Sequence, residues 1–132
     1  MHFDLIDTVL ECSDDHIVAI KHVSNAEEYL KDHFPTYPVL PGVMMIETMT
    51  QAARHVIARH SETPMVLGQV KALKFSGMVR PGQSLQVTVT LMAADDDDTY
   101  RFKCVGSVRN ADETGVGETA LSGRFTMRPL GP

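Results

Sequence analysis

No apolar stretch of this sequence approaches the ~18 residues that a membrane-spanning helix requires, so no span is expected. Cysteine is scarce: Cys12 and Cys104 are the only two, with neither metal spacing nor a disulfide framework. They are expected to be buried free thiols of a reducing cytosol. Positive charge is in deficit, the formal net charge being −5, which argues against nucleic acid as a bulk partner and leaves room only for a local basic patch. The first residues, "MHFDLIDTVLE", carry acids where a signal peptide carries lysines, so a cytoplasmic location is expected. Nucleophile elbow, phosphate loop and zinc pattern are missing, and none of the six histidines pairs at metal-ligand spacing on a helix. Repeats and linkers are missing too. What remains is a chain of 132 residues, 43% hydrophobic and 22% charged, enough for one globular core; residues 1–132 are expected to form one domain.

Two apolar, β-branched stretches at 3–11 and 16–23 flank the polar break "CSDD", which predicts a hairpin. "NAEEYLK" at 25–31 opens on Asn25, a fitting N-cap for one or two helical turns. Pro35, Pro38 and Pro41 then hold the backbone extended, because the residue before each proline is pushed out of the helical region. From Pro41–Gly42 the period changes to that of a helix over 43–60. Its apolar face takes Met45, Ile46, Met49, Ala52, Ala53, Val56 and Ile57, and its polar face Glu47, Thr50, Gln51, Arg54 and His55. After Pro64 the pattern alternates with period two. Leu85, Val87, Val89 and Leu91 face one way, and Tyr100, Phe102, Cys104 and Val108 oppose Arg101, Lys103, Ser107 and Arg109. "RPGQ" at 80–83 and "DDDD" at 95–98 are turns, and Gly117 and Gly123 mark bends or close approach in a last strand. These elements predict an α+β domain, an antiparallel sheet with one face covered by a helix.

Two features of the helix start invite chemistry. The amides of Gly42, Val43 and Met44 point out of the N-terminus at the positive end of the dipole, where an anion can be held. Glu47 sits on the next turn, with Val43 and Met44 beside it. A solvated glutamate would occupy that face equally well, and periodicity does not choose between the two. His33, ahead of the prolines, is by itself an ordinary loop histidine. Asp95–Asp98 lacks the interleaved ligands of a calcium loop.

Taken whole, "HFPTYPVLPGVMMIETMTQ" at 33–51 resembles the signature of the 3-hydroxyacyl-acyl-carrier-protein dehydratases of the FabZ type. His33, Phe34, Pro35, Pro38, Pro41, Gly42, Val43, Glu47 and Gln51 all match it, and the likeness continues through "LGQVKALKF", "RPGQSLQVTV" and "VGETALSGRF". Asp32 stands where that family usually has glycine, and Ser76–Gly77 where many members carry arginines. The resemblance implies a hotdog fold, one long central helix wrapped by a curved antiparallel sheet. It also implies homodimers joined edge to edge, grouped further as a trimer of dimers, with tunnels at the interface. The implied reaction is dehydration of 3-hydroxyacyl thioesters to trans-2-enoyl thioesters, in fatty-acid or related lipid synthesis. In it His33 is the base at Cα, and Glu47 is the acid at the β-hydroxyl, an enclosed carboxylate being able to stay protonated. The amides of Val43 and Gly42 hold the thioester oxygen, with Gln51 completing the substrate site. No metal or organic cofactor is implied. The partners implied are an acyl carrier protein or a coenzyme A thioester, a carrier protein being expected on a basic strip of Lys71, Lys74 and Arg80. The alternatives are a hotdog thioesterase, in which Glu47 activates water, and a non-catalytic acyl-binding subunit.

Overall fold

β-branched and apolar residues at alternating positions build six strands, and the short polar breaks between them set the hairpins. The computed structural model describes residues 5–23, 40–110 and 117–130. The strands are β1 (Thr8–Cys12), β2 (His16–His22), β3 (Met65–Phe75), β4 (Gln83–Ala94), β5 (Tyr100–Asn110) and β6 (Thr119–Pro129). One helix, α1 (Gly42–Ile57), lies between β2 and β3 in the chain. All pairings are antiparallel, in the order β1-β2-β4-β5-β6-β3. The expected helix at 25–31, Pro35, Pro38 and His33 lie outside the described residues.

The hairpins follow their turn chemistry. The β1–β2 turn is closed by Ser13, whose Oγ bonds His16 Nδ1 at 2.8 Å, and by His16 Nε2 against Glu11 at 2.7 Å. Before β4 the Gln83 amide donates to the Arg80 carbonyl (2.9 Å), with Pro81 and Gly82 at the corner. Gly82 has φ +89°, a conformation that costs glycine little and other residues more. The four aspartates cap the β4–β5 hairpin, the Asp95 amide donating to the Thr99 carbonyl at 2.8 Å. Gly123 confirms the expected close approach: a Cβ there would stand 3.0 Å from the Leu73 backbone, where β3 bulges past β6.

The core lies between α1 and the inner face of the sheet. Met49, Ala52, Ala53 and Val56 of the helix meet Leu85, Val87 and Val89 of β4, all fully buried. Phe102 and Phe125, opposite each other on β5 and β6, stack at 5.4 Å between centroids. Cys104 is buried as expected, and burial pushes its thiol up to about 12, so it is an inert core residue. Cys12 is only half-buried, because β1 is an edge strand with a neighbour on one side alone.

The helix corrects its sequence reading in three ways. It ends at Ile57 rather than His60, the chain passing into turns closed by the Arg59 and His60 amides. Pro41 is the N-cap, with extended backbone, and not the first helical residue. Most telling, Thr50 and Gln51, assigned to the solvent face, are buried together with Thr48. A sheet curved around a helix covers more of its circumference than a flat one does. The threonines tolerate this because their hydroxyls donate back to the Met44 carbonyl (2.7 Å, Thr48) and the Ile46 carbonyl (2.9 Å, Thr50). Ser107, placed with the outward residues of β5, is likewise buried.

Candidate active site

The N-terminal turn of α1 presents its amides as the sequence suggests. The Met44 and Met45 amides donate to the Pro41 carbonyl at 3.0 and 3.1 Å, which leaves Gly42 and Val43 as the amides without a partner among the described residues. The Val43 side chain is 64% exposed. A Cβ on Gly42 would stand 3.0 Å from the tip of the Phe75 ring, so glycine lets the end of β3 close against the helix terminus.

One turn further on, Glu47 is half-exposed at 43% of its side chain. Its Oε1 is held twice: Gln51 Nε2 donates to it at 3.3 Å, and Arg54 Nη1 lies 3.7 Å away. These residues stand four and seven positions after Glu47, on one face of the helix. Arg54 also donates from Nε to the Met65 carbonyl at 3.3 Å, which ties the ladder to the first residue of β3. The 47–51 spacing was marked in the sequence, whereas Arg54 was not. It was assigned only to the polar face, though the seven-residue step from Glu47 could have singled it out.

Gln51 is 9% exposed, and its amide is committed at both ends, because its Oε1 accepts the Leu5 backbone amide at 2.7 Å. The described geometry makes it a residue that orients Glu47 and pins the segment before β1. Gln51→Leu should therefore strand a buried amide and lower stability by about 1–3 kcal/mol. Denaturant melts would show this loss, and an unchanged midpoint would count against it.

Of the residues marked from the sequence, Gly42, Val43, Glu47 and Gln51 come together along the first three turns of α1; His33 lies outside the described residues. Among the described residues no group of three or more histidines, cysteines, aspartates or glutamates could hold a metal ion. No helix among them is long and apolar enough to cross a membrane.

Comparison with known proteins fits this frame. The chain is 42% identical over 91 residues to the 3-hydroxyacyl-[acyl-carrier-protein] dehydratase FabZ of Streptococcus pyogenes, covering 67% of this chain and 66% of that protein's length. Among solved structures, a thioesterase protein of Streptococcus pneumoniae crystallised with coenzyme A superimposes with a TM-score of 0.71 at 14% identity, over 94% of this chain and 85% of the other. The dehydratase heterocomplex ApeI:P of Xenorhabdus doucetiae matches at 0.66 and 20% identity, over 97% and 84%. The fold shared with these structures is the hotdog fold. Matched over residues 9–115 to the family described by the ApeI dehydratase, the chain belongs to the ApeI-like dehydratases.

Proposed function

We propose that this chain removes water from 3-hydroxyacyl thioesters, giving trans-2-enoyl thioesters. The observation that carries the reading is the placement of Glu47 one turn beyond the open Gly42 and Val43 amides, with one carboxyl oxygen held by Gln51 and Arg54. Elimination needs a base at Cα, an acid at the departing hydroxyl, and donors for the oxygen that gains enolate charge. In this reading His33 takes the Cα proton, Glu47 gives a proton to the leaving hydroxyl, and the amides hold the thioester oxygen. Proton count balances: one leaves Cα, one leaves with water, and the two groups exchange roles in the reverse hydration.

A homodimer is part of the proposal, as the unit of a trimer of dimers in the cytoplasm. Support comes from β3, an eleven-residue strand paired on one side only. A long open edge is a liability that a second copy removes by continuing the sheet. Large apolar side chains gather beside it, with Phe75 50% exposed and Val43 and Met78 exposed as well. A partner subunit docked there would also cover Glu47.

The test is an assay of short 3-hydroxyacyl thioesters that follows enoyl absorbance and free thiol together. Enoyl formation without thiol release is expected. Thiol release alone would replace the dehydratase by a thioesterase.

A further inference from the structure

Lysines and arginines are not distributed evenly over this acidic molecule. Five of the 12 in the chain, Lys71, Lys74, Lys103, Arg124 and Arg128, are exposed on strands β3, β5 and β6. The register puts them on one face. Arg124 is directly opposite Lys103 on one side and Lys71 on the other, and Lys74 is opposite Ser122. Because opposite residues share a face, and Phe102 and Phe125 mark the inner one, this row lies on the outer face of the sheet.

Two things about the row are unusual. Among the described residues none of these five cations has an ion-pair or hydrogen-bond partner, whereas Lys21, Arg54, Arg59 and Arg101 each pair with a carboxylate. And three like charges stand abreast on neighbouring strands, an arrangement that opposes pairing of those strands. A stripe that weakens its own sheet calls for an external anion. Lys71, Arg124 and Arg128 also line a groove of about 820 Å³, bounded at one end by Asp95, which is paired with Arg101 at 2.9 Å.

The shape of the patch selects the occupant. At about 4.8 Å between strands and about 3.4 Å per residue, it measures roughly 10 Å by 20 Å, close to one face of a short helix. The cations are spread and exposed rather than convergent and buried, which suits a protein surface better than a single phosphate. Asp95–Asp98 closes one end, so a bilayer or a nucleic acid would run from the patch onto carboxylates. The patch also adjoins the site: Lys74 on the outer face is followed by Phe75, whose ring meets Gly42 at the start of α1.

We propose that the outer face of β3, β5 and β6 docks a compact acidic protein that bears the acyl thioester. This rests on the dehydratase reading for its substrate, and it moves the expected basic strip: Lys71 and Lys74 belong to it, joined by Lys103, Arg124 and Arg128. Arg80 does not, since it lies on the turn before β4 with its own partners.

The experiment compares the full chain with Lys71→Glu and Arg124→Glu on three 3-hydroxyacyl thioesters, borne by an acyl carrier protein, by coenzyme A and by pantetheine. Loss of steering and complementarity should raise KM for the carrier-borne substrate at least ~10-fold and remove its salt dependence. Turnover of the pantetheine thioester should be unchanged. An unchanged carrier KM, or an equal rise for coenzyme A, overturns the proposal. Should no thioester be dehydrated, the function above fails, and binding of the carrier alone, with and without salt, still decides the docking surface. A stability readout is independent of both: Arg124→Thr should raise the melting temperature, and added salt should raise the wild type's more than the variant's. The opposite order would remove the repulsion on which the inference stands.

Discussion

Glu47→Gln is expected to lower dehydration by at least ~10², the usual scale for a positioned acid, with the melting temperature almost unmoved. The amide has the shape of the carboxylic acid but cannot give a proton to a departing hydroxyl. Its oxygen can still accept from Gln51 Nε2, so the ladder along α1 keeps its geometry. The lost ion pair with Arg54 is about half exposed on both sides, and such pairs contribute at most ~1 kcal/mol. His33→Ala should cost activity on the same scale by removing the base. Initial rates and thermal melts on one preparation check both variants. Near-normal turnover with an unchanged melt would return Glu47 to the role of a solvated surface residue.

The second large effect concerns how the site is shared. Along the chain fourteen positions separate His33 from Glu47, and the reading above takes each site's histidine from one subunit and its glutamate from the other. His33→Ala and Glu47→Gln chains, each inactive alone, should then complement when co-expressed. In a mixed dimer one site inherits both lesions and the other is whole. Half the dimers are mixed and half their sites intact, so about a quarter of wild-type activity should return. Differential tags verify the mixing. Activity that stays at the background of the single variants in verified mixed dimers would place both residues in one chain.

Much of this was legible because strands and helices bury residues with fixed periods. Leu85, Val87 and Val89 could only share a face once they were strand residues, and Pro41–Gly42 could only begin a helix. The motif from His33 to Gln51 carried the family. Coverage of the helix escaped, since no local signal says that a sheet will curl far enough to bury Thr50 and Gln51. Nor did strand order follow from pattern, because β3 passes over β4 and β5 to pair with β6. The unpaired cation row was invisible for the same reason. Lys71, Lys103 and Arg124 lie far apart in the chain and become neighbours only through that register. Arg54 was hidden differently: its type suits any exposed helix face, and only its reach to Glu47 and the Met65 carbonyl distinguishes it.

The pairing of β3 with β6 also dictates an order of assembly. β4, β5 and β6 form a meander of sequence neighbours, each able to pair as soon as the one before it is made. β3 is synthesised ahead of them all, yet its only strand partner within the chain is the last to emerge, and closing that long loop costs entropy before any contact repays it. The strand that sets Phe75 against the helix terminus, and that holds two of the five patch lysines and arginines, is therefore the last to dock. On the ribosome, no active fragment exists before Thr119–Pro129 is free to pair. Catalysis and self-association alike wait on the final strand.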